Sequence, residues 1–241
     1  MIDPPPLALI LSDQRWTQAL YTHHDSHIEA RVSLHNQHTD LTSISFQISN
    51  CLACNLSKER TNTVPGSGNP NADIMFIGEA PGFNEDRIGE PFIGRAGSLL
   101  EDLLDSIGLK KQDVYITNMV KCRPPKNRDP QKTEINSCKT YLDSQISTIN
   151  PIVIVTLGRF SFGKFFPNIP ISQARGETKE WKGKIIFPMY HPAAALYNPS
   201  LKPRLQYDFQ KLNEFIKNIE SPTETSYPSA NPRQLDFFDI K

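Results

Sequence analysis

Four short apolar runs set the rhythm of the chain: Ile74–Ile77, Val114–Asn118, Ile152–Leu157 and Ile185–Met189. Runs of this length, bounded by turn residues, predict strands buried on both faces. Between and after them, apolar residues recur at helical spacing. Leu99, Leu100, Leu103, Leu104 and Ile107 mark one helix; Ile135, Cys138, Leu142 and Ile146 mark a second. A short aromatic helix is expected over Phe160–Phe166, and a closing one carries Leu205, Phe209, Leu212, Phe215, Ile216 and Ile219. The second helix is expected to start after Asp129, with Pro130 at its first position and Glu134 in its first turn. Strands alternating with helices predict an α/β fold on a parallel sheet covered on both faces.

The connection from the first strand to the first helix breaks this rhythm. It holds Gly78, Gly82, Gly89, Gly94 and Gly97 with Pro81 and Pro91, and it carries Glu79, Glu85, Asp86 and Phe92. Joins between such elements are normally about 2–6 residues. A long loop beyond the carboxyl end of a strand is the usual place for an α/β active site. Residues 167–184 are expected as turns with an edge hairpin. Residues 1–49 read as a weakly patterned extension with one helix, 50–220 as the folded domain, and 221–241 as a flexible tail.

Composition narrows the function. The chain has 26 basic and 26 acidic residues, so no global field marks a polyanionic partner, although a local patch would suffice for DNA. No apolar run could span a bilayer, and the first residues lack a basic region before their apolar segment; a cytoplasmic, nucleoid-associated location is the default expectation. The histidines between His23 and His38 are irregularly spaced and read as surface.

Four cysteines fall into two pairs, Cys51-x2-Cys54 and Cys122-x15-Cys138. Four thiolates could hold zinc or a 4Fe-4S cluster, and spacing alone does not choose; composition favours zinc. Either centre would fix the basic residues Lys121, Arg123, Lys126 and Arg128 on one surface.

Four features occur together: the C-x2-C pair, GEAPG at 78–82, TNMVKCRPP at 117–125, and His191-Pro192 after the last strand. In that combination the chain resembles the iron–sulfur uracil-DNA glycosylases, family 4, from Cys51 to Ile219. The resemblance implies a three-layer α/β/α sandwich with a central four-stranded parallel sheet. It also implies a 4Fe-4S cluster in place of zinc, and removal of uracil from DNA. By motif, Glu79 and Glu85 correspond to the loop carboxylates, and Gly78 lines the base pocket. Phe92 corresponds to the aromatic that stacks on uracil, Asn118 to the residue that bonds its polar edge, and His191 to the histidine that approaches O2. Family members often carry a bulky pair after the HP motif. This chain has Ala193-Ala194 there, which leaves Leu196 as the candidate wedge.

The same residue types suit the chemistry on their own terms. Uracil must leave the base stack before its glycosidic bond can be reached. An aromatic face supports it, and an amide offers a donor and an acceptor that match uracil O4 and N3–H but not cytosine. Cleavage builds positive charge on the sugar and negative charge on the departing base, which a histidine donor and a carboxylate can stabilise. Glu79 and Glu85 both remain candidates for positioning water. No lysine is placed for a Schiff base, so a monofunctional hydrolase is expected.

For the DNA backbone the candidates are Gly94 and Arg95 at a helix start, Gly66 and Ser67 in a turn, the basic loop residues Lys121, Arg123, Lys126 and Arg128, and Arg204. The tail residues Gln234, Leu235, Phe237 and Phe238 resemble the short peptides that dock bacterial DNA-processing enzymes on the replication sliding clamp. Two other readings remain: a non-catalytic, clamp-tethered or DNA-binding adaptor that keeps the fold and cluster, and a glycosylase for another deaminated base.

Overall fold

The computed structural model describes residues 40–220. The histidine-rich segment and the docking peptide with Gln234, Leu235, Phe237 and Phe238 lie outside the described residues.

Four buried runs form the expected strands, β2 (Ile74–Gly78), β3 (Tyr115–Asn118), β4 (Val153–Leu157) and β6 (Lys184–Met189), with Lys184 alone half-buried. They pair in parallel, with β3 and β4 flanking β2 and β6 beyond β4. Two short antiparallel edges widen this core to six strands. β1 (Ser67–Gly68) borders β3, and β5 (Lys179–Trp181) forms a hairpin with β6. Such short edges blunt the unpaired backbone groups of the outer parallel strands.

Alternation along β2 shows the layering. Ile74 and Phe76 pack with α3 (Arg95–Asp105), α7 (Pro192–Tyr197) and α8 (Lys202–Glu220). Met75 and Ile77 pack on the other face with α4 (Lys132–Ile149), α5 (Arg159–Phe165) and the short α6 (Ile171–Ala174). Successive strand side chains point to opposite faces, so one buried run supplies both cores. Among the described residues no helix is long and apolar enough to cross a membrane.

Three local differences from the sequence reading matter for the site. The long connection contains a short helix, α2 (Phe83–Ile88), held by buried Asp86, whose carboxylate accepts from the Thr61 and Asn62 amides at 3.0 and 3.4 Å. Helix α4 starts at Lys132, not Pro130, because the Glu134 carboxylate takes the Gln131 N–H at 2.7 Å and closes a capping box there. Helix α1 (Leu41–Ser49) buries Ile44 and Ile48 and packs on α4, so residues 41–49 belong to the folded body rather than to an extension.

Candidate active site and cysteine cluster

The carboxyl ends of β2 and β3 are in register, with Gly78 paired to Asn118. Both are buried, and Asn118 Oδ1 has no hydrogen-bond partner among the described residues. A side chain cannot be added at Gly78: a Cβ there would sit 2.3 Å from Asn118 Oδ1 and 2.8 Å from the Phe92 ring. The absent side chain lets the amide and the aromatic edge share one space.

Phe92 is buried and holds a left-handed backbone, φ 53°. That conformation costs a bulky residue about 1–3 kcal/mol and persists only where its surroundings impose it. Lys111 Nζ donates to the Phe92 carbonyl at 3.1 Å, and Gly97 leaves room for that carbonyl, since a Cβ at 97 would lie 1.8 Å from it. The ring is thereby aimed at His191, with centroids 5.5 Å apart and planes 28° from parallel.

His191 caps α7, and its Nδ1 accepts the Ala193 N–H at 3.1 Å. With Nδ1 an acceptor, the proton of the neutral ring sits on Nε2. Burial pushes its pKa down to about 4, so the imidazole is neutral at physiological pH.

The two loop carboxylates separate. Glu85 Oε1 accepts the Ile93 and Gly94 N–H groups at 3.1 and 2.8 Å, which makes Glu85 a brace between α2 and the start of α3. Glu79, directly after β2, has no hydrogen bond to its carboxyl among the described residues. Its pKa is raised to about 7, first by burial and then by Asp129, against the opposing charge of Arg159. Arg159, at the head of α5, is ion-paired with Asp129. Sequence reasoning missed both Arg159 and Lys111; neither stands in a motif.

Several DNA-contact expectations are corrected. Lys121 is 1% exposed; its ammonium is bound within the protein and cannot reach a phosphate. The Gly94 N–H is occupied by Glu85 rather than free for an anion. Leu196 packs partly buried against the core and is not an exposed wedge, whereas the neighbouring Tyr197 is 91% exposed. Arg128 is turned to Glu134 in a two-pronged pair at 2.6 and 2.9 Å. Gly66 packs on the Tyr115 ring, and Ser67 is exposed on edge strand β1. Arg95, Lys126 and Arg204 are exposed; Arg123 is half-buried, and its guanidinium lies over the Phe83 ring at 5.1 Å.

The cysteines converge beyond the same, carboxyl end of β3, in the loop that follows Asn118. Cys122 and Cys138 are buried with Leu56 and Val120, and Cys54 packs against them. Cys51 and Cys54 lie close enough to Cys122 for their charges to raise its pKa, although burial is the larger cause. Arg60 donates to Cys122 Sγ at 3.2 Å, and the Ala53 N–H to Cys51 Sγ at 3.5 Å. Among the described residues, no group of three His, Cys, Asp or Glu side chains is gathered tightly enough to hold a single metal ion.

With this geometry in hand, comparison with known proteins places the class. Residues 65–217 match the model of the uracil DNA glycosylase superfamily. A type-4 uracil-DNA glycosylase of Sulfurisphaera tokodaii is 52% identical over 72% of this chain and 84% of its own length. Those of Archaeoglobus fulgidus and Thermotoga maritima are 48% and 44% identical, over 78% and 72% of this chain and 98% and 93% of theirs. The chain belongs to the uracil-DNA glycosylase superfamily and, within it, to the type-4 uracil-DNA glycosylases.

Proposed function

We propose that this protein hydrolyses the N-glycosidic bond of uracil in DNA, releasing the base and leaving an abasic site, with the work divided as follows. The observation that carries the division is the buried, unpartnered Asn118 Oδ1 beside the Phe92 ring edge. A buried acceptor without a partner costs about 1–3 kcal/mol. Uracil N3–H relieves that cost, while the Asn118 amide group donates to O4. Cytosine offers an acceptor at position 3 and leaves Oδ1 orphaned.

Phe92 supplies the stacking face. As the bond to the sugar lengthens, negative charge gathers on uracil O2, and the Nε2–H of neutral His191 donates to it. Glu79, once ionised, holds the attacking water and faces the positive sugar; the water proton passes to its carboxylate. Glu85 shapes the loop and takes no part in the chemistry. Arg95, Arg123, Lys126 and Arg204 are the cations left to meet phosphates. A uracil-containing oligonucleotide, incubated with the protein and then treated with alkali, is expected to break at the uracil. An intact strand would favour the adaptor reading.

The four cysteines suit a 4Fe-4S cluster. They are soft donors in one space, with N–H groups directed at the sulfurs, and a polynuclear centre asks for thiols spread more widely than one zinc ion does. When bound, the cluster supplies four iron–sulfur bonds that tie the 51–54 segment to the loop after β3 and to α4. Iron at four per chain is the expected content; stoichiometric zinc would overturn the assignment. Sequence alone supports the sliding clamp as a partner of Gln234, Leu235, Phe237 and Phe238, and with it residence near the nucleoid. Removing those residues is expected to abolish clamp binding and leave excision on a free oligonucleotide intact.

A further inference from the structure

We infer that Lys121 and Gln145 are positioning residues for base recognition, a buried bracket that holds the end of β3 and, through it, Asn118. An ammonium has three N–H donors. Those of Lys121 meet Thr117 Oγ1 at 2.6 Å, the Asn118 carbonyl at 2.8 Å and Gln145 Oε1 at 2.6 Å. The Gln145 amide in turn donates to the Pro65 carbonyl at 2.8 Å and the Tyr115 hydroxyl at 3.3 Å, while Thr117 Oγ1 donates to Pro65 at 2.6 Å. Lys121 is 1% exposed, and Thr117 and Gln145 are fully buried.

Such a network is a costly way to fill space. A buried ammonium whose hydrogen-bond set contains no carboxylate carries a desolvation cost that an apolar side chain of similar volume avoids. What the network gains is position. It clamps the backbone carbonyl of the residue whose side-chain oxygen is buried and unpartnered among the described residues, near the Phe92 ring edge. A site built on a buried acceptor discriminates only while that acceptor stays within hydrogen-bond reach of the base.

Helix α4 anchors the bracket twice. Gln145 lies two turns after Cys138, on the same face of the helix, and Lys121 directly precedes Cys122, which is buried in one cluster with Cys138. Lys121 therefore joins the cysteine cluster to the base reader by its main chain on one side and its side chain on the other. The inference rests on Asn118 being that reader, and the test separates the two claims.

The test is a double-mutant cycle on the full chain, measuring single-turnover excision and half-saturation with a uracil oligonucleotide. Iron content and melting temperature are read for every variant. Lys121→Met is expected to slow excision about tenfold or more, and less than about twofold once Asn118→Ala is present, because a residue acting through Asn118 has nothing left to position. Equal fold-losses in both backgrounds would overturn the bracket, since general loosening of the fold does not depend on Asn118. Gln145→Leu keeps two partners for Lys121, so it serves as the second arm should Lys121→Met not fold, with the same two outcomes. Asn118→Ala with wild-type excision would sink the reader assignment and the bracket together. A severe Asn118→Ala defect with additive losses would sink the bracket alone.

Discussion

Phe92 and His191 lie ring against ring, 5.5 Å between centroids, so the imidazole covers one face of the Phe92 ring. A base that stacks on that face must move His191 toward the base edge, where its Nε2–H reaches O2. Phe92→Ala removes the stacking partner and exposes His191. Since base–aromatic stacking contributes about 1–3 kcal/mol, kcat/KM on a uracil oligonucleotide is expected to fall by about 5- to 150-fold. The melting temperature should fall as well, because Phe92 is buried in the core and its truncation leaves a cavity, so the rates are compared at a temperature where both proteins are folded.

Gly78→Ala acts on Phe92 and Asn118 together, from the end of β2. The new methyl would overlap both Asn118 Oδ1 and the Phe92 ring. Uracil excision is expected to drop by about tenfold or more with the iron content unchanged. Unchanged excision would mean that the amide and the ring are not both needed at once.

The two carboxylates are separated by their neutral isosteres. Glu85→Gln keeps an acceptor for the Ile93 and Gly94 amides, so most activity should remain, whereas Glu85→Ala loses the brace and about 1 kcal/mol of stability. Glu79→Gln cannot take the water proton and is expected to slow single-turnover excision by about 100-fold or more. The reverse ranking would hand the water to Glu85.

Glu79 also sets the pH response. Its carboxyl is raised to about 7, chiefly by burial, so kcat/KM should climb with pH through about 7 as it ionises, and the climb should vanish in Glu79→Gln. Neutral His191, with its pKa near 4, adds no limb in that range. For stability the sign is opposite. A carboxyl whose folded pKa lies above its unfolded value of 4.5 helps the native state below that value, and this help is lost as pH rises through about 7. The wild-type melting temperature relative to Glu79→Gln should therefore be lower at about pH 8 than at about pH 5.

Much of the fold could be read from the chain because its central strands are continuous apolar runs that nothing else explains. The elements that escaped are those made by polar contacts. Helix α2 has no apolar stripe; it stands on Asp86 bonding to Thr61 and Asn62, and on Glu85 bonding forward to Gly94. Phe92, Asn118 and His191 were legible by their motifs, and the structure brings them to one end of the sheet. Lys121 misled for a physical reason. Its neighbours Arg123, Lys126 and Arg128 make it look like part of a basic surface, yet the acceptor that buries it, Gln145, lies 24 residues on, in a helix. Leu196 suits a wedge by its apolar side chain, and that same character draws it into the core, while Tyr197 beside it stays exposed.

The most direct measurement of base reading is single-turnover excision by the wild type and by Asn118→Asp, each on oligonucleotides carrying one uracil or one cytosine at the same position. The wild type should release uracil and leave cytosine intact. Asn118→Asp, which exchanges the amide donor for a second acceptor, should lose uracil excision by about 100-fold and narrow the gap between the two bases. Wild-type selectivity and rate in Asn118→Asp would contradict the assignment of Asn118 as the residue that recognises uracil.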